Sequence, residues 1–170
     1  FFTFRIFAYF AIWASLAWYF LSNSLKQDKS GDVSLTKRMW TTSGPGLVIF
    51  ALTLTFAAFD LLMSLSPTWF STIFGVYIFA GCVSSFMSVI CMTAIYLQSQ
   101  GYLKRSITME HYHDLGKLMF AFTFFWGYIA FSQYMLIWYA NMPEETFWYI
   151  HRQGGGWENW SWLLLIGKFV

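Results

Sequence analysis

Four runs of predominantly apolar residues, about Phe1 to Leu21, Leu47 to Leu65, Phe70 to Gln98 and Leu118 to Ala140, dominate the sequence, and a fifth begins at Trp157. About 20 such residues cross ~30 Å of hydrocarbon as a helix. Lipid offers no partner to an open backbone group, and the runs lack the two-residue alternation of a barrel strand, so each predicts a transmembrane α-helix. Composition agrees, because 58% hydrophobic, 24% aromatic and 11% charged residues leave too little polarity to clothe a water-soluble core. The predicted fold class is an all-α membrane protein, a polytopic helix bundle forming one transmembrane domain over 1–170. Its predicted spans are 1–21, 47–65, 70–98, 118–140 and the truncated 157–170. The chain opens on Phe without a basic n-region and stops within WLLLIGKFV, which reads as an excerpt of a longer protein and not as a signal peptide.

The segments between the spans set orientation. Loops 22–46 and 99–117 hold Lys26, Lys29, Lys37, Arg38, Lys104, Arg105 and Lys117, whereas 66–69 and 141–156 hold only Arg152. The positive-inside rule therefore places 22–46 and 99–117 in the cytoplasm and 66–69 and 141–156 in the periplasm. Ser43-Gly44-Pro45-Gly46 reads as a helix entrance, and Pro67 forces a turn between the second and third spans. A formal charge of +2 gives no reason to expect a nucleic-acid partner. Cys82 and Cys91 fall on opposite faces of one predicted helix and cannot pair with each other.

Asp60 is the only charged side chain between Arg38 and Lys104. Thr53, Ala57, Asp60 and Ser64 recur at helical spacing, so the carboxylate belongs to a small, weakly polar stripe facing other helices. An ionised carboxylate at membrane depth costs at least ~2.5 kcal/mol and is usually retained for proton, ion or ligand handling. Burial favours the protonated acid, which makes a proton-exchanging Asp60 the leading reading and a structural hydrogen bond to a Tyr or Trp the competing one. In the fourth span Lys117, Tyr128 and Tyr139 are spaced by close to three turns, with Ser132 and Gln133 beside them. Tyr128 and Gln133 are candidates for holding a quinone head group or a water chain, while Tyr139 reads as an interfacial anchor.

In EHYHDLGK, His111 and His113 do not share a helical face, which disfavours a metal or haem site. His113 and Asp114 read as a polar helix entrance, with cytoplasmic proton uptake as the alternative. On the third span Ala80, Ser84 and Ser88, and beside them Gly81 and Ser85, form small-residue rows for close helix packing. Residues 141–156 mix Glu144, Glu145, His151 and Arg152 with Phe147, Trp148 and Tyr149, as a docking surface under a partner would. No phosphate-binding loop, nucleophile elbow, CxxC or CxxCH occurs.

The strings HDLGKLMFAFTFFWGYIAFSQYMLIWYANMPEETFWY and DLLMSLSPTWFSTIFGVYIFAG resemble the NrfD-like integral membrane subunits of bacterial alternative complex III. The resemblance is greatest to the second of the two such subunits, often described as quinone-binding. It implies NrfD-like four-helix bundles in the bacterial inner membrane, within a complex that oxidises quinol and passes electrons to cytochrome c or a terminal oxidase. The expected partners are a paralogous NrfD-like membrane subunit, periplasmic iron–sulfur and haem c subunits, and membrane lipid. The haem c and iron–sulfur clusters belong to those partners, and the paired NrfD-like subunit is the better-supported quinol site, so the resemblance assigns no redox cofactor to this chain itself and leaves quinone as an open alternative. Proton transfer through this family falls on buried carboxylates and histidines, and the matching positions are Asp60, His113 and Asp114. A purely structural scaffold and a secondary transporter are the rival readings.

Overall fold

The computed structural model describes residues 1–169. The chain is 83% helical, with no strand among the described residues. The helices are α1 (Phe2–Ser30), α2 (Val33–Leu61), α3 (Phe74–Ser99), α4 (Met109–Ala140), α5 (Pro143–Gln153) and α6 (Glu158–Gly167), with a short 3-10 turn at Met63–Leu65. The four helical stretches Phe2–Ser30, Val33–Leu65, Phe74–Ser99 and Met109–Ala140 are long and apolar enough to cross a membrane. The shortest has 26 residues, about 39 Å of helix at 1.5 Å per residue, against ~30 Å of hydrocarbon. The protein is membrane-embedded.

Helices α1, α2 and α4 outrun the apolar spans on the sides of 22–46 and 99–117, which corrects the predicted loops, whereas α2 ends at Leu61 and α3 starts at Phe74, inside the predicted bounds of 65 and 70. Residues 22–46, expected as a loop, are helical apart from a break at Gly31 and Asp32. Gly31 closes α1 in the left-handed region (φ +66°), its N–H donating to the Gln27 carbonyl at 2.8 Å. Asp32 then caps α2, accepting from the Ser34 N–H at 2.9 Å and the Ser34 hydroxyl at 2.6 Å. A charged, water-compatible sequence can thus extend a membrane helix beyond the hydrocarbon, because helix propensity does not require an apolar face. Pro45 is likewise not a helix entrance but lies inside α2. Gly46 beside it is buried, with Leu16 and Phe20 of α1 closest to where a Cβ would stand.

Two compact units divide the chain, Phe1–Leu65 and the described residues from Ser66 onward. The first is the antiparallel α1–α2 hairpin. The second pairs α3 with α4 and carries α5 and α6. Among the described residues no large side chain is fully buried in either unit, and Phe4, Phe7, Trp18, Leu47, Phe86, Phe120 and Leu136 are exposed. A helix pair has only one mutual face, so its remaining apolar surface needs lipid or neighbouring helices for solvent.

In the second unit Ser66-Pro67-Thr68 makes the expected turn, closed by the Trp69 N–H to the Ser66 carbonyl at 3.0 Å. The α3–α4 connection is also shorter than predicted, because α4 starts at Met109 with a reciprocal cap between Thr108 and His111. Gln98 ties this connection down, donating to the Ile107 carbonyl at 2.8 Å and accepting from the Tyr112 hydroxyl at 3.0 Å. The 141–156 segment is mostly helix as well. Asn141 ends α4 in the left-handed region, and Pro143 opens α5 at the first turn, where its missing N–H costs nothing.

Candidate functional site

Asp60 sits near the open end of the α1–α2 hairpin with both carboxylate oxygens engaged. Arg5 Nη2 donates to Oδ1 at 2.8 Å, and the Tyr9 hydroxyl donates to Oδ2 at 2.9 Å. Ser64 Oγ donates to the Asp60 carbonyl at 2.5 Å. The Asp60 side chain is 16% exposed and Arg5 42%, while Tyr9 is buried. Arg5 Nε is buried without a partner, and its guanidinium lies 5.4 Å from the Phe1 ring centroid.

The cluster is the last rung of a polar seam. Arg5, Tyr9 and Trp13 follow one another at i, i+4 and i+8, so they share one face of α1. Trp13 Nε1 donates to Thr53 Oγ1 at 2.9 Å, and the Thr53 hydroxyl donates in turn to the Ile49 carbonyl at 2.8 Å. Tyr19 and Thr42 hydroxyls lie 3.2 Å apart, and Gln27 donates to Thr36 nearest the turn. The predicted stripe on α2 is this face: Thr53 and Asp60 bond to α1, and Ala57 is buried with 3% exposure. The missing half was on α1. A guanidinium in an apolar run, followed at four-residue steps by Tyr9 and Trp13, was the available signal, and antiparallel pairing about Gly31–Asp32 sets Arg5 opposite Asp60.

The other predicted site residues belong to the second unit and do not join into one site. His113 and Asp114 are exposed, and Asp114 accepts from Lys117 Nζ at 3.1 Å one turn along. They are not the helix entrance, which is built by Thr108 and His111 a turn earlier, because only the first-turn N–H groups need a cap. Gln133 is buried at 6% exposure, whereas Tyr128 at 66% and Tyr139 at 82% point away from the helix pair. Five residues turn a helix by about 140° beyond a full revolution, which separates Tyr128 from Gln133. Among the described residues no group of three or more His, Cys, Asp or Glu is placed to hold a metal ion.

Between α3 and α4 Ala80 is fully buried, Ser84 Oγ lies 3.1 Å from Thr123 Oγ1, and Gly81 makes room for the Trp126 edge, as expected of small-residue packing, whereas Ser85 is exposed and donates to the Gly81 carbonyl of its own helix at 2.8 Å. A second cluster surrounds α5. Trp69 stacks on Trp148 with centroids 4.0 Å apart and planes 8° from parallel, and the Arg152 guanidinium covers Trp148 at 3.2 Å from its centroid. Tyr149 meets Tyr134 edge-on at 5.0 Å. Burial pushes the Tyr149 phenol up to about 12, reinforced by Tyr77, and burial lowers the Arg152 guanidinium. Beside this cluster a groove of about 430 Å³ is lined by Tyr134, Arg152, Gln153, Glu158, Trp162 and Leu165.

No protein-family model and no curated protein matches the chain.

Proposed function

We propose that the chain is an integral membrane subunit of a respiratory quinol-oxidising complex of the bacterial inner membrane, in which the Arg5–Asp60–Tyr9 cluster handles protons. In this reading 22–46 and 99–117 face the cytoplasm, 66–69 and 141–156 face the periplasm, and Asp60 lies towards the periplasmic side. The supporting observation is the cluster itself: a guanidinium and a phenol both donate to one carboxylate near the end of a helical stretch long and apolar enough to cross a membrane, and charge within a membrane is costly and usually retained for function.

Oxidising a quinol yields a quinone, two electrons and two protons. The electrons pass to iron–sulfur and haem c centres in partner subunits, and the protons need acceptors within a dry helix bundle. The Tyr9 phenol, hydrogen-bonded to Asp60 Oδ2, offers a proton path onto the carboxylate, while Arg5 orients Oδ1 and offsets the negative charge. Thr53 and Trp13 continue the polar seam towards the middle of the hairpin.

A scaffold role is favoured by a different feature of the same geometry, namely that both oxygens of Asp60 are already satisfied within the hairpin. Asp60→Asn in the assembled complex separates the two, because the amide keeps the shape but cannot cycle a proton at neutral pH. Slower quinol turnover or fewer protons released per electron, with assembly intact, is the expected result. Unchanged values for both leave Asp60 as a clasp.

A further inference from the structure

We propose that the groove between Arg152 and Glu158 binds the headgroup of an ethanolamine phospholipid. The inference rests on membrane embedding and is independent of the quinol reading. Arg152 and Glu158 line one groove, yet the only ion pairs among the described residues are Arg5–Asp60 and Asp114–Lys117. Two opposite charges that share a groove without pairing suit a ligand that itself carries both signs. Among the described residues only one guanidinium N–H of Arg152 is spent, on the Trp148 carbonyl at 2.9 Å, leaving others for a phosphate. Burial lowers Arg152 and no carboxylate offsets it, as expected where an anion supplies the missing charge.

Glu158 opens α6, and its carboxylate accepts hydrogen bonds only, so it favours an ammonium that carries N–H groups. Ethanolamine has three such donors and choline none. Tyr134 and Trp162 line the groove beside Glu158, but choline gives that carboxylate no N–H to accept, so the discrimination rests on Glu158. An anionic glycerol headgroup satisfies Arg152 but leaves Glu158 facing like charge. Trp162 and Leu165 form an apolar wall along which an acyl chain leaves the groove. Trp138, Trp148, Trp157, Trp160 and Trp162 crowd the same stretch, which is the composition of a membrane–water interface and selects a lipid over a free phosphoethanolamine.

The test uses the full-length protein in mild detergent, stripped of lipid and titrated with phosphatidylethanolamine, phosphatidylcholine or phosphatidylglycerol of matched chains, with bound lipid read by native mass spectrometry. Phosphatidylethanolamine should bind about tenfold tighter than either rival, the scale of one charge-assisted hydrogen bond. Arg152→Gln should remove that binding, but it also uncovers Trp148 and can unseat α5. Glu158→Gln keeps the fold out of question: it should erase the preference of ethanolamine over glycerol headgroups while leaving phosphate binding in place. Equal affinity of the native protein for all three lipids, or an unchanged preference in Glu158→Gln, overturns the proposal.

Discussion

In the α1–α2 hairpin the two helices meet through heteroatoms: a guanidinium, two phenols, an indole, an amide, three threonine hydroxyls and one carboxylate bond across the seam. Helices α3 and α4 meet instead mainly through Ala80, Gly81 and Ser84, with one hydroxyl pair and a tryptophan edge filling the space and one polar bond, Tyr112 to Gln98, at the end next to their connection. Both solutions follow from the absence of a hydrophobic driving force in lipid, where either close van der Waals approach or polar bonding must hold helices together. The difference lies in tolerance. A small-residue interface depends on volume, and a charged seam depends on every partner being present.

Removing one partner of the seam should therefore have the largest effect. Asp60→Leu leaves Arg5 without its counter-charge, and the expected loss is about 2–3 kcal/mol, below the ~3–5 kcal/mol of a fully buried pair because the Arg5 side chain is 42% exposed. The double variant Arg5→Met with Asp60→Leu should regain most of it. Equilibrium unfolding in detergent checks both, and a double variant no better than the single would dissolve the contrast between the two pairs.

Volume changes come next. Ala80→Leu should destabilise the α3–α4 pair by about 1–3 kcal/mol through overpacking, since Ala80 is fully buried between the two helices. Gly46→Ala in the hairpin meets its nearest neighbour at 3.6 Å, ordinary contact, and should be neutral or gain up to ~1 kcal/mol of helix propensity. Thermal unfolding of the two variants side by side decides whether close packing matters more in one pair than in the other.

An effect that is nil at neutral pH and emerges only in alkali is a pH dependence of the second unit. Tyr149 is held near 12 in the folded chain against an ordinary 10.0, so the folded form keeps its proton more tightly. The stability this gives is complete below pH 10 and is lost as pH rises from 10 towards 12. Near-ultraviolet circular dichroism of the Trp69–Trp148 stack should fade across that window, and Tyr149→Phe should flatten the change.

The membrane fold was legible because apolar run length and lipid physics admit few alternatives, and the α2 stripe was legible because helical spacing places Thr53, Ala57 and Asp60 on one face. Helix ends were not, since Lys26, Lys29 and Lys37 mark the edge of hydrocarbon and say nothing about where hydrogen bonding stops. Pro45 misled for a related reason, its glycine neighbours resembling a boundary when a packed partner keeps the helix continuous. Arg5 was overlooked because its significance is pairwise: a lone Arg near the start of an apolar run looks like an interfacial anchor until the hairpin brings it against Asp60. Tyr128 and Gln133 were grouped by depth along α4, while their azimuths, which decide what each one faces, differ by well over a right angle.

A reduced-minus-oxidised absorption spectrum of the particle purified through this chain in mild detergent tests the central claim most directly. Haem c bands in constant proportion to the chain are the predicted result and place it in a quinol-oxidising complex. A colourless particle of otherwise intact, helical protein contradicts that assignment.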